Sequence, residues 1–335
     1  IWFNYERFCE PYIREHNLKN IFGEQAEWVK KHFLEEKPKQ KGAYQFKPQY
    51  NTQRKVEEAL ALPIDAPDDQ KAFNKKLKEG LFQLHAEVLF LEHPFSNKQS
   101  FNPRNSFHRT QSYQDLDWET KAKLNDLYID YFYKRMENYW REQAMIKLPA
   151  ITSATNMLVC GEDLGMVPDC VPPTMRELGL LSLEIQRMPK NPKVEFGHPA
   201  DAPYLSVVTP SSHDMSTIRG WWEENREKTQ RFYNIILGHD GGAPLFCEPW
   251  VVKEIIVQHL YSPAMWAIFP IQDLIGMDST LRRKDVHAER INVPANPKHY
   301  WKYRFHIPIE ELLEQESFND LLARLIRESG RNSGY

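Results

Sequence analysis

From residue 157 onward, short apolar runs alternate with segments of helical pattern, and this alternation restricts the fold more than any other feature. The runs 157–160, 183–188, 204–209 and 265–271 read as strands, with helices expected over 171–178, 224–237 and 249–260. Strands that are apolar throughout, rather than at every second residue, need cover on both faces. That is the condition of a parallel sheet wrapped by helices. Four such strands amount to half of an eight-stranded barrel. A closing helix is expected over 309–328, which carries Leu312, Leu313, Leu321, Leu322, Leu325 and Ile326.

The preceding part is patterned differently. Residues 1–35 read as helix, with Trp28, Phe33 and Leu34 at helical spacing, and 36–52 read as a polar loop. After Pro67-Asp68-Asp69, a helix start, Phe73, Leu77, Leu81, Leu84 and Val88 mark one face. A turn-rich loop covers 101–111. The clearest helix is 118–146, where Leu124, Tyr128, Phe132, Met136, Trp140 and Ala144 fall four apart and predict a stripe against a large partner surface. The expected organisation is α/β, with a mainly helical region over 1–147 and β/α strands and helices over 148–335. No Gly/Ser linker divides them, so packed parts are expected.

Composition removes several classes. Lys and Arg number 43 against 46 Asp and Glu, so the basic excess of a nucleic-acid surface is missing. No apolar run approaches the roughly 18 residues of a membrane span. The four cysteines (Cys9, Cys160, Cys170, Cys247) are scattered without a CxxC pair, which suggests neither a metal site nor a disulfide framework and fits a reducing, cytoplasmic setting. Cys160, inside an apolar run, is expected to be buried. The chain opens on Ile1 within helical pattern, so a piece of a longer polypeptide is expected.

Two stretches carry candidate chemistry. Residues 157–167 (Met-Leu-Val-Cys-Gly-Glu-Asp-Leu-Gly-Met-Val) place Glu162 at a strand tip as a possible proton donor. Asp163 beside it reads as a helix cap or an acceptor for backbone N–H groups. Residues 211–222 place His213-Asp214 at the end of the 204–209 strand. By itself the Glu-Asp pair also fits helix-start capping, and a His-Asp pair is common at strand ends. Together they set two acids on the rim of a parallel sheet, where such folds keep their chemistry.

These stretches resemble glycoside hydrolase family 77, the 4-α-glucanotransferases or amylomaltases. The likeness extends through Lys147-Leu-Pro-Ala-Ile-Thr to Gly161-Glu-Asp-Leu-Gly165, Leu180-Leu-Ser-Leu-Glu-Ile-Gln-Arg-Met-Pro189, Pro210-Ser-Ser-His-Asp-Met-Ser-Thr-Ile-Arg-Gly220, Pro270-Ile-Gln-Asp-Leu-Ile-Gly276 and Glu289-Arg-Ile-Asn-Val-Pro294. It covers about residues 90–331 and is nearest to the long form with a helical insertion. It implies the C-terminal part of a (β/α)8 barrel and a retaining transfer of α-1,4-glucan segments between maltooligosaccharides or glucans, without metal or organic cofactor. By motif, Glu162 is the acid/base and Asp214 the transition-state carboxylate. His213 and Asn292 contact the substrate. Asp273, in the Gln-Asp pair, is read separately as structural. Glu162 and Asp214 are then expected to project from adjoining strand ends into one sugar pocket, with Glu162 held protonated by burial and a nearby carboxylate.

The family's nucleophile belongs to an Arg-x-Asp-His motif that does not occur in residues 1–335. The chain is therefore expected to lack that residue and to be inactive by itself. An incomplete barrel would also favour self-association. The other reading is a non-catalytic carbohydrate-binding or scaffold fragment, with Trp221, Trp222, Tyr300 and Trp301 as a stacking platform. A hydrolase of the amylase type is a third.

Overall fold

The computed structural model describes residues 4–38, 40–63, 65–165 and 167–331. Residues 1–3, at the head of the helical stretch expected over 1–35, and Met166, inside the 157–167 run, lie outside the described residues. The chain divides into two compact units, Ile1–Arg135 and Met136–Tyr335.

In the first unit, β1 (Ile13–Arg14), β2 (Leu34–Glu36) and β3 (Ala43–Phe46) form an antiparallel sheet in the order β1-β3-β2, with Leu34 opposite Phe46. The central strand β3 falls in the stretch expected to be loop. Its sequence lacks apolar alternation, yet pairing on both sides satisfies its backbone, and Ala43 and Phe46 are buried. Helices Glu15–Phe22, Ala26–Phe33 and Asp68–His85 close a core of Ile13, Leu18, Val29, Leu77, Leu81 and Leu84. Asp68 and Asp69 occupy the first turn of the long helix, where carboxylates suit the helix dipole. At Gly80 a Cβ would stand 2.7 Å from Phe22 Cζ, so a larger residue there would have to push that ring aside. A second hairpin pairs β4 (Phe90–Glu92) with β5 (Phe101–Pro103), the latter inside the stretch read as turns.

The strong helical pattern after residue 117 is real but interrupted. Asp117 caps the helix Trp118–Asp130 by accepting from Thr120 N at 2.8 Å. A π-helical turn occupies Tyr131–Arg135, and α-helix resumes over Met136–Ser153. Leu124 and Tyr128 are buried, whereas Met136 and Ala144 are only half-buried and Trp140 is exposed. The expected single stripe is thus covered only in its first half. A π turn closes on i+5 rather than i+4, so residues four apart no longer share one face across it.

The second unit is built on a parallel sheet, β6 (Ser182–Ile185), β7 (Ser206–Thr209) and β8 (Trp266–Ala267), in chain order. All four residues of β7 are buried, as an apolar strand covered on both faces requires. The strand expected over 157–160 is reduced to one parallel bridge, Cys160 to Leu181. Cys160 is exposed rather than buried, because the run pairs with the sheet at that point alone among the described residues. Helices Val171–Glu177, Ile218–Glu224, Arg226–Ile235, Pro249–Leu260 and Glu316–Glu328 accompany the sheet. The helix expected over 224–237 breaks at Asn225, whose side chain accepts from Lys228 N at 3.0 Å and starts the second helix.

The core of this unit gathers Ile218, Trp222, Phe232, Val251, Ile255 and Ile256. Each fully buried aliphatic residue contributes roughly 2 kcal/mol. Trp222 is 1% exposed and donates from its indole to the Pro244 carbonyl at 2.9 Å, so it is core and no part of a stacking platform. The class is mixed helix and sheet. Among the described residues, no helix is long and apolar enough to cross a membrane.

Candidate functional site

The site is assembled where the chain leaves β7. Pro210 to Ser216 bridges from the strand to the helix Ile218–Glu224, which Thr217 caps by accepting from Gly220 N at 3.2 Å. One buried carboxylate ties both ends of this bridge. Asp273, in the short helix Ile271–Ile275 after β8, accepts the Ser211 hydroxyl and the Ile218 N–H, the latter at 2.7 Å. Burial raises the Asp273 pKa, and these two hydrogen bonds, with Arg187 nearby, pull the other way. Asp273 thus ties the bridge to the helix after β8.

A second buried acid aligns the loop that follows. Glu289 accepts the Thr217 hydroxyl at 2.9 Å and pairs with Arg219, which also donates to the Arg283 carbonyl at 3.0 Å. Burial raises its pKa, chiefly against the Arg219 charge. Immediately after Glu289, Arg290 donates to the Asn292 carbonyl at 2.9 Å and to Ser216 Oγ at 3.0 Å. The 289–292 segment is thereby laced to the strand-to-helix bridge.

The result is a convergence of three residues named from sequence. Asn292 N–H donates to the His213 carbonyl at 3.1 Å, and Asn292 Nδ2 donates to Asp214 Oδ1 at 2.7 Å. His213 Nε2 stands 3.4 Å from the same oxygen. The side chains of His213 and Asp214 are about half exposed, at 52% and 48%. The Trp301 ring lies 5.1 Å from the His213 ring. Chemically this is a carboxylate fixed through one oxygen, beside an imidazole and an aromatic face. Such a group can accept hydroxyls or steady positive charge next to a stacked ring.

Glu162 is placed differently. It follows the Cys160 bridge, which pairs next to β6, and β6 lies between it and β7. Glu162 and Asp214 therefore belong to alternating strand positions, not adjoining ones. Glu162 is exposed, and among the described residues no hydrogen bond or ion pair involves it. Its neighbour Asp163 is buried, accepts from Leu183 N at 2.9 Å and pairs with Lys190 at 2.6 Å, fastening this segment to β6. Asp163 is thus the backbone acceptor anticipated, not a helix cap.

The positioning residues Arg219 and Glu289 were missed in the sequence because they are 70 positions apart. The faint signal was an acid directly before Arg-Ile-Asn. Among the described residues no group of three or more His, Cys, Asp or Glu could hold a metal ion.

Comparison with known proteins follows this geometry. The profile of glycoside hydrolase family 77, 4-alpha-glucanotransferase, matches residues 19–310. The chain is 39% identical over 334 residues to the 4-alpha-glucanotransferase DPE2 of Oryza sativa subsp. japonica, covering 99% of this chain and 35% of that protein. It is 30% identical over 183 residues to a 4-alpha-glucanotransferase of Chlamydia caviae, covering 52% of this chain and 33% of that one. It thus spans about a third of the length of these curated relatives. The solved amylomaltase from Streptococcus agalactiae in complex with acarbose aligns with 15% identity and a TM-score of 0.41, over 54% of this chain and 34% of the other.

Proposed function

The chain belongs to glycoside hydrolase family 77, the 4-alpha-glucanotransferases, and from that premise we propose that it supplies part of a retaining transfer site for α-1,4-glucans. The parallel strands β6 to β8 are read as one wall of a (β/α)8 barrel, with chemistry at their C-terminal ends. In this reading Asp214 steadies the positive charge of the distorted sugar, and Asn292 and His213 position its hydroxyls. Glu162 protonates the leaving oxygen and later activates the acceptor. The nucleophile comes from outside residues 1–335, since retention needs a further carboxylate about 5 Å from the acid. Donor and acceptor are maltooligosaccharides or longer glucans. Carboxylates and hydrogen bonds suffice for the chemistry.

The observation that carries this proposal is the Asn292–Asp214 hydrogen bond of 2.7 Å. It joins two family motifs separated by 78 positions, with His213 on the same oxygen. One observation favours the non-catalytic reading: Glu162 is exposed and tied to nothing among the described residues. Incubating the chain with maltotriose and resolving the products by chromatography tests the proposal. We expect maltotriose to bind and to remain intact. Formation of longer and shorter oligomers would overturn the assignment of the nucleophile to another segment, and absence of binding would overturn the site.

A further inference from the structure

Arg187 stands two positions beyond the end of β6, and its planar fork reaches across to the loop that carries His213 and Asp214. Nε donates to the Pro210 carbonyl at 3.1 Å, and Nη2 donates to the Ser216 carbonyl at 2.7 Å. These acceptors are the first and last residues of the bridge from β7 to the helix Ile218–Glu224. Nη2 also stands 3.5 Å from the Met215 sulfur. One guanidinium edge therefore closes a loop that has His213-Asp214 in its middle.

The arrangement is a costly one for mere stability. Each of the three partners is a neutral atom, so the charge leaves water without an ion pair in return. Burial lowers the Arg187 pKa to about 10, against the pull of the Asp273 and Glu224 charges, so the group stays charged at neutral pH. Its Cζ lies 5.1 Å from the centre of the Trp221 ring. That ring is itself packed edge-on against Phe232 at 5.0 Å and Phe196 at 6.1 Å, so the fork is backed by the core. Asp273 already ties the chain at residues 211 and 218. What Arg187 adds is a fixed spacing between residues 210 and 216.

That spacing is passed on to Asp214. Inside the loop, Ser212 Oγ accepts the Asp214 N–H at 3.3 Å, and the Ser212 carbonyl accepts the Met215 N–H at 3.3 Å. A shift of either clamped carbonyl thus moves the carboxylate that meets Asn292 at 2.7 Å. Lysine is no substitute, because it is a point charge and two carbonyls along one edge need parallel donors.

We propose that Arg187 is a positioning residue of the transfer site, which sets the place of Asp214 by holding the Pro210 and Ser216 carbonyls along one guanidinium edge. That the carboxylate so placed serves a sugar rests on the glucanotransferase reading; the clasp itself does not. The test compares the unaltered chain with Arg187→Met and Arg187→Lys by NMR, first without ligand and then in a maltotriose titration. In the free chain the Asn292 side-chain amide should shift in both variants. Leu325→Ala, a core change in the closing helix, should lower the melting temperature without moving that amide. Maltotriose should bind tenfold or more weakly in Arg187→Met, and at least threefold more weakly in Arg187→Lys. An Asn292 amide that stays in place in Arg187→Met, or moves as far in Leu325→Ala, would overturn the proposal. So would maltotriose held as tightly by Arg187→Met, or an Arg187→Lys chain that matches the unaltered one. Should Arg187→Met fail to fold, the lysine variant decides alone. Failure of the glucanotransferase reading would look different: maltotriose would bind none of these chains, while the Asn292 amide still moved with Arg187.

Discussion

At the scale of single residues, the site depends on two buried acids, Asp273 at 1% and Glu289 at 1% exposure. Asp273 and Glu289 hold the strand-to-helix bridge and the 289–292 loop so that Asn292 reaches Asp214. Asp273→Asn would keep the shape but turn one acceptor into a donor facing a donor. A loss of about 1–3 kcal/mol is expected in urea unfolding, together with weaker maltotriose binding. His259 predicts a pH effect with a definite sign. Its ordinary pKa of 6.5 falls to about 4 in the fold, so the unfolded chain binds the proton more readily. The stability it confers is complete above about pH 6.5 and is lost as pH falls toward 4, by about 3 kcal/mol. The raised pKa values of Asp273 and Glu289 act oppositely, their contribution fading as pH rises through their folded values. Comparing His259→Phe with the unaltered chain isolates the histidine, and its melting temperature should fall less between pH 6.5 and 4. His213 and Asp214 were legible because they follow an apolar run. The Arg219–Glu289 pair was not, since only folding brings those two motifs together.

At the scale of elements, the π turn at Tyr131–Arg135 decides which residues of the long helical pattern are packed. Leu124→Ala should cost about 2–4 kcal/mol in thermal or denaturant unfolding. Ile146→Ala, on the exposed stretch at 68%, should stay within about 0.5 kcal/mol. Equal costs would contradict this difference in packing. The pattern also shows what periodicity can and cannot reveal. The helix Pro249–Leu260 coincides with its expected range because its apolar positions and leading proline agree locally. The strand β7 was visible as a continuous apolar run. By contrast β3 is polar and is made a strand by partners on either side, which no local pattern records. The run 157–160 failed in the opposite sense: it is apolar enough for a strand, but only Cys160 finds a partner.

At the scale of the molecule, the parallel sheet carries exposed apolar residues at both margins. Met157 and Leu158 flank the Cys160 bridge at 75% and 52% exposure, and Trp266 in β8 is 52% exposed. Unpaired margins of this kind invite pairing with another chain. The sedimentation coefficient should therefore rise with concentration, and a constant monomer value would count against the barrel-wall reading. The account turns on whether the convergence of His213, Asp214 and Asn292 is a sugar site. The most direct measurement is a maltotriose titration read by NMR at the Asn292 side-chain amide and the Trp301 indole. Saturable shifts at both, lost in Asp214→Ala, are what this structure predicts. Shifts elsewhere, or binding indifferent to Asp214, would contradict it.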